Sequence, residues 1–306
     1  MDFALRSLVE SVSTADAAAT SEFYETRPRA SALADYQELT EARAARQARF
    51  TGSGRAVVDT VNVAGHAVPL RIIEPLHRPV VGVLLHFPGG GFYMSSAVAD
   101  DERNARRADA TGLAVVSVDY RLAPENPWPA APDDCAAAAE WLIDCARDRF
   151  GTDSLILGGF SAGATLAVTT LLRLRDRGAV GAFGGALLEA GTYDLSEHTP
   201  SGKAVVDDYF VAAYAGHVDD RSIPDISPAY GDLRGLPSTL VVVGTGDVVL
   251  PDNLLMAARL AAAGSEVALR IYPDVPHGFS NHPTPVGRQA ATAIDAWLVN
   301  ALGRGE

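Results

Sequence analysis

Ser161 lies in Gly158-Gly159-Phe160-Ser161-Ala162-Gly163, between the apolar run Leu155-Ile156-Leu157 and the helix-favouring Ala164-Thr165-Leu166-Ala167-Val168. A serine hydroxyl is a poor nucleophile until a base takes its proton. A G-x-S-x-G turn between a strand and a helix holds the hydroxyl clear of the backbone, and Gly159 and Gly163 leave the room that turn needs. The helix that follows sets its positive end beside the serine. A candidate base is His277, in Tyr272-Pro273-Asp274-Val275-Pro276-His277-Gly278-Phe279, just past a run with strand character. Asp247, in Val243-Gly244-Thr245-Gly246-Asp247-Val248, also follows such a run and could accept the second imidazole N–H, fixing the tautomer. Asp252 competes with it, but after Pro251 at a helix start an Asp serves more simply as a cap or dipole partner. Ser, Asp and His in that chain order suit acyl transfer, in which serine attacks a carbonyl carbon.

Acyl transfer also needs donors for the oxyanion that develops on the attacked carbonyl. Pro88-Gly89-Gly90-Gly91-Phe92 directly follows the apolar run ending at Phe87. Consecutive glycines let backbone N–H groups turn toward a substrate oxygen with no side chain in the way, and the N–H of Ala162 is a further candidate. Neither glycine cluster suits a phosphate: G-K-[ST] is absent, and no G-x-G-x-x-G follows a strand.

These residues must be carried by regular elements. Strands are expected at 56–63, 67–73, 80–87, 113–119, 182–189, 239–243 and 266–272, and in the run from Leu155 that feeds Ser161. Helices are expected at about 100–111, 133–148, 252–263 and 287–302, and after Ser161 to about 177. That alternation predicts an α/β domain with a mostly parallel central sheet and helices on both faces. Residues 1–50 read as an N-terminal helical cap segment, broken at Pro28, with Ser31 as the cap of its second helix. Residues 51–306 then form the catalytic domain. Residues 192–236 interrupt the alternation and read as a cap insertion over the strand ends, where open α/β sheets place their sites. Phe92, Tyr93, Trp128, Tyr209 and Phe210 are candidate walls of a substrate pocket, and Phe160 should make the surroundings of Ser161 apolar.

A chain of 306 residues with 48% hydrophobic content can bury a substantial core. Its formal net charge of −13 disfavours nucleic acid and anionic membrane surfaces as partners, because phosphate binding needs clustered cations. Cys135 and Cys145, ten positions apart on one expected helix, would stand about 15 Å apart, too far for a disulfide. No histidine pair has ligand spacing, so neither a metal nor another cofactor is expected. No basic-then-apolar leader opens the chain and no run is long enough to span a bilayer, which predicts a soluble, cytoplasmic protein without stable membrane association.

Asp119-Tyr120-Arg121-Leu122-Ala123-Pro124-Glu125, Pro127-Trp128-Pro129-Ala130-Ala131 and Ser227-Pro228 to Gly235-Leu236-Pro237 complete a set of motifs in order. With the serine and glycine segments they make the chain, from about Pro79 onward, resemble the hormone-sensitive-lipase-like family of α/β-hydrolases, the fold-3 group. The resemblance implies an α/β-hydrolase fold with a helical cap, Ser161, Asp247 and His277 as the triad, and Gly90, Gly91 and Ala162 as oxyanion donors. It further implies a serine carboxylesterase acting on short- to medium-chain esters through an acyl-enzyme. Amide or lactone hydrolysis, lyase chemistry on the same triad, and a non-catalytic ligand-binding protein on the same fold are the alternatives. Members often form homodimers, and a homodimer stays open here. Two positions depart from the pattern: Pro88 stands where the family has His before its glycines, with His86 two positions earlier, and Phe160 stands where it has Asp before the serine. Proline has no N–H to give, but the donors follow it in the loop.

Overall fold

The structure is a computed structural model that describes residues 8–27, 33, 35–94, 96–205 and 208–302. Eight strands form one sheet: β1 (Val57–Val63), β2 (His66–Ile73), β3 (Gly82–Phe87), β4 (Leu113–Val118), β5 (Leu155–Phe160), β6 (Phe183–Glu189), β7 (Ser238–Gly244) and β8 (Val267–Tyr272). Their spatial order is β1-β2-β4-β3-β5-β6-β7-β8. β1 and β2 are an antiparallel hairpin with two central residues, Ala64 and Gly65, both at positive φ, the geometry a two-residue hairpin turn requires. β2 meets β4 antiparallel, and the remaining pairings are parallel.

The described helices are α1 (Thr14–Glu25), α2 (Tyr36–Gln47), α3 (Asp101–Thr111), α4 (Ala130–Phe150), α5 (Ala162–Asp176), α6 (Pro200–Val205), α7 (Asp208–Ala215), α8 (Leu250–Ala262) and α9 (Pro285–Leu302). Side chains alternate across the sheet with period two, and the core divides accordingly. Val83, Leu85 and Phe87 of β3 face the cluster containing Ala138, Leu142, Leu171 and Met256, from α4, α5 and α8. Leu84 faces the opposite cluster, with Ala105 and Ala108 of α3 and Ile294 and Leu298 of α9. Because β3 and β5 carry helices on both sides, all six residues of β3 are buried, and its continuous apolar run is the mark of a central parallel strand.

The elements lie close to the sequence expectations, with instructive differences. α4 begins at Ala130, three residues before Asp133, because a proline at position 132 is tolerated in a helix's first turn, where its missing N–H has no partner to lose. The N-cap of α2 is Asp35, whose carboxylate accepts the Glu38 N–H at 2.9 Å. Pro28 and Ser31, expected as break and cap, lie outside the described residues. Residues 192–236 contain α6 and α7, and Val211, Tyr214, Ile226 and Leu233 join the core on the α4–α5 side of the sheet. Both cysteines sit on α4, Cys135 buried and Cys145 partly so, and both are free thiols. Among the described residues, no helix is long and apolar enough to cross a membrane, and no cluster of potential metal ligands occurs.

β3 leads to β4 on one side, whereas β4 leads across to β5 on the other. That reversal opens a crevice at the carboxyl ends of β3 and β5, the ordinary ligand position of an open α/β sheet. The glycine loop leaves β3 and the serine turn leaves β5 at that point.

Candidate active site

Ser161 joins the end of β5 to the start of α5, with φ 53° and ψ −121°. Left-handed φ at a residue with a side chain costs about 1–3 kcal/mol and persists only where the surroundings enforce it. The enforcement here is steric. A Cβ at Gly159 would run into the backbone of Gly163, and one at Gly163 would run into the carbonyl oxygen of Phe87. The Ser161 N–H donates to the Glu189 carbonyl at 2.8 Å, which fastens the turn to the end of β6.

His277 reaches Ser161 from the loop after β8, with Nε2 2.9 Å from the serine Oγ. Its Nδ1 lies 3.1 and 3.0 Å from the two carboxylate oxygens of Asp247, in the loop after β7. A carboxylate can only accept, so Nδ1 carries the proton and Nε2 is left to accept from the hydroxyl. The Asp247 side chain is buried while that of His277 remains about 37% exposed. Asp247 is held in turn by the Val249 N–H, which donates to its Oδ1 at 3.1 Å. Asp252 is elsewhere: buried in the first turn of α8, it accepts the Tyr193 N–H at 2.9 Å and so anchors the chain after β6.

The glycine loop turns sharply after β3, with Gly90 at φ 134°, Gly91 at 60° and Phe92 at 63°. Among the described residues the N–H groups of Gly90, Gly91 and Ala162 donate to no other backbone carbonyl. Gly90 and Gly91 share one cleft, of about 710 Å³, with Ser161 and His277. The loop's anchorage answers the departure at Pro88: the Tyr120 hydroxyl donates to the Pro88 carbonyl at 2.7 Å, and the Gly90 carbonyl accepts from Met94 N–H at 2.7 Å.

Of the aromatic residues expected as pocket walls, Tyr93 and Phe160 line this cleft. The Phe160 ring lies 5.1 Å from the His277 imidazole, so the position before the serine gives that imidazole an apolar neighbour. Phe92 is instead fully buried, stacked on Tyr214 at 3.9 Å, because the left-handed turn at its own backbone sends the ring toward the core. Trp128 is likewise outside the cleft, its indole N–H donating to Asp225 at 2.8 Å. Tyr209 and Phe210 fall on α7, and their side chains lie outside the described residues. No described residue of 192–236 lines the cleft, whose outer wall comes from Arg27, Arg46, Arg49 and Phe50.

Behind the site is a buried polar network that the linear pattern does not mark. His86 of β3 takes Arg103 on Nε2 at 2.8 Å and faces Ser117 Oγ through Nδ1 at 3.3 Å. Burial, reinforced by the positive charges of Arg103 and Arg107, holds His86 well below its ordinary pKa, and so neutral. Arg103 also bonds Asn281 and pairs with Asp100 at 3.2 Å. Glu189, ending β6, takes Ser280 Oγ on one carboxylate oxygen at 2.8 Å and Arg107 on the other at 3.4 Å. Burial alone would raise the Glu189 carboxyl, but Arg107, Arg103 and Ser280 outweigh it and hold it below its usual range. The network thus joins the strand before the glycine loop, the strand end that holds Ser161, and the residues just after His277.

Comparison with known proteins agrees with this architecture. Residues 84–281 match the model of the alpha/beta hydrolase fold family. An acetyl-hydrolase of Streptomyces hygroscopicus is 32% identical over 235 residues, covering 72% of this chain and 77% of that protein. The carboxylesterase NlhH of Mycobacterium tuberculosis is 30% identical over 228 residues, 70% of this chain and 72% of its own. The structure of a bacterial heroin esterase superposes with a TM-score of 0.83 at 25% identity, covering 98% of this chain and 99% of that one. The chain belongs to the hormone-sensitive-lipase-like family of α/β-hydrolases.

Proposed function

We propose that this protein is a serine carboxylesterase that cleaves short- to medium-chain esters through an acyl-enzyme. The carrying observation is the unbroken hydrogen-bonded line from Ser161 Oγ through His277 to Asp247, at 2.9 and 3.0 Å, opening on the cleft that holds the Gly90–Gly91 loop. In this reading Ser161 Oγ attacks the ester carbonyl carbon while His277 Nε2 takes the hydroxyl proton. Asp247 holds the imidazole in the accepting tautomer and stabilises the imidazolium that forms. The carbonyl oxygen becomes an oxyanion, and the N–H groups of Gly90, Gly91 and Ala162 are the donors that receive it. As the tetrahedral species collapses, the C–O bond to the alcohol breaks and His277 returns the proton to the departing oxygen. Water then repeats the sequence on the acyl-serine, with His277 as base, to release the acid and restore Ser161.

The cap organisation is part of the same proposal: residues 1–50 supply the helical outer wall of the cleft, and the remainder forms the catalytic domain. Its support is that Arg27, Arg46, Arg49 and Phe50 line the cleft, and that the Tyr24 hydroxyl lies 3.0 Å from His282 Nδ1.

A panel of p-nitrophenyl esters of graded acyl length tests the reading. Release of nitrophenol should be strongest for short and medium chains and fall by about 10⁴-fold or more in Ser161→Ala, with the melting temperature kept or raised. An unchanged rate in that variant would discard the mechanism.

A further inference from the structure

The outer wall of the cleft carries three arginines, Arg27, Arg46 and Arg49, against a single acid, Asp100. Asp100 is already paired with Arg103 at 3.2 Å. This is a cationic surface in a chain whose 38 acids exceed its 25 basic residues. Elsewhere many arginines are matched to carboxylates, among them Arg55 to Asp109, Arg71 to Asp101, Arg121 to Asp134 and Arg173 to Asp225, while Arg78, Arg106, Arg259 and Arg288 are engaged by backbone carbonyls. Among the described residues, none of the three cleft arginines has such a partner. Arg27 and Arg46 have their guanidinium carbons over the rings of Phe23 and Phe50 at 4.7 and 5.5 Å, contacts that do not neutralise the charge. Their field is felt inside the cleft. Burial lowers the pKa of His282 and the charge of Arg27 lowers it further, while Arg46 acts on the Asp100 carboxyl.

A guanidinium edge is matched to carboxylate and other oxyanions by its two parallel N–H donors. In a confined cleft, charges of one sign raise the local concentration of the opposite sign. The cleft volume of about 710 Å³ exceeds what a short acyl chain fills, leaving space for a second functional group. We infer that the preferred substrates are esters that also bear an oxyanion group, a carboxylate above all, held by Arg27, Arg46 and Arg49 while the ester carbonyl lies at Ser161. This selectivity rests on the ester-hydrolase reading and specifies which esters it favours.

The test is a matched pair: the mono-p-nitrophenyl ester of suberic acid, ending in a carboxylate, and the same ester with that carboxylate methylated. In the unmodified protein at low salt, kcat/KM for the charged member should exceed that for the neutral one by about tenfold, the size of an arginine–carboxylate attraction in a partly screened cleft. In Arg46→Gln/Arg49→Gln the ratio should fall by about fivefold or more, chiefly through KM of the charged ester, and added salt should shrink it in the unmodified protein. Arg234→Gln, an exposed arginine outside the cleft, should leave the ratio as it was. A ratio at or below one, or one unmoved by the double variant, overturns the inference alone if p-nitrophenyl butyrate is still cleaved with dependence on Ser161. Cleavage of none of the three esters overturns the esterase reading and this inference with it.

Discussion

The floor of the cleft and its outer wall are built on opposite terms. The floor is the turn between β5 and α5, and α5 behind it is buried from Ala162 to Leu172 with no exposed position. The wall comes from Arg46 of α2 and from Arg27, Arg49 and Phe50, just past the ends of α1 and α2, and each of those helices has one buried residue, Thr20 and Leu39 respectively. In the floor, side-chain volume decides whether the turn exists. In the wall, the arginines make ring contacts within their own segments, Arg27 over Phe23 and Arg46 over Phe50. On the proposed reading, a fold organised this way confines the chemistry to positions that tolerate almost nothing and leaves selectivity to positions that tolerate a great deal.

The largest effect should therefore follow the smallest change, if it is made in the floor. Gly163→Ala adds one methyl group that would collide with the Phe87 carbonyl and lie about 2.8 Å from that of Pro88, both backbone atoms of the strand and loop that carry the proposed oxyanion donors. A destabilisation of about 3 kcal/mol, or a fall in Tm of roughly 6–10 °C, is expected, with kcat lower by about 100-fold. Gly181→Ala, where a Cβ meets nothing within 4 Å, is the control that should be nearly silent. Thermal unfolding and turnover of p-nitrophenyl butyrate check both, and a silent Gly163→Ala would break the contrast.

The same contrast explains what the sequence discloses. The floor is legible because its constraints are local: glycines two positions either side of a serine, flanked by strand and helix patterns, have few other uses. His277 and Asp247 are legible because each follows a strand in an order that the topology must respect. The wall is not. Phe92 and Trp128 adjoin diagnostic segments but turn inward, and only the backbone angle at Phe92 and the carboxylate of Asp225 reveal it. Arg27, Arg46 and Arg49 gain meaning only from how the first 50 residues dock, which no periodicity encodes. Glu189 is hidden by its position at the end of an apolar strand, with Arg107 and Ser280 many residues away in the chain.

Glu189 extends the floor beneath the serine and should behave like it. Glu189→Gln removes the charge that faces Arg107 at 3.4 Å and Arg103 at 3.9 Å, leaving Arg107 with Asp295 alone. A loss of about 2–3 kcal/mol is expected, with kcat lower by roughly tenfold as the loop carrying His277 loosens. The pH dependence identifies the cause. A carboxyl whose folded pKa is depressed contributes stability that is complete above its unfolded value, and this is lost as pH falls through the folded value. For Glu189 that window lies below about pH 4, and the variant should lack this part of the acid-induced loss. Denaturant melts at pH 7 and pH 3 measure it. An equal loss in both proteins would show that Glu189 holds its place by shape rather than charge.

The smallest effect should come from the hinge between the two regions. Arg43 of α2 donates Nε to the Tyr93 carbonyl at 2.7 Å, bonds the Ala123 carbonyl and pairs with Glu125, so it ties the wall to the segment that follows the glycine loop. In Arg43→Ala the space left by a side chain that is itself about 23% exposed admits water to the released carbonyls, and Glu125 keeps the Tyr36 hydroxyl at 2.8 Å. The cost should be about 1 kcal/mol, or 2–4 °C in Tm. Because the Gly90 and Gly91 amides are held separately, by the Tyr120–Pro88 bond and the turn closing on Met94, kcat should stay within about twofold while KM rises about three- to fivefold. Steady-state kinetics on one ester separates the two outcomes. A fall in kcat at constant KM would mean that α2 acts on the Gly90 and Gly91 amides themselves, and floor and wall would then be one machine instead of two.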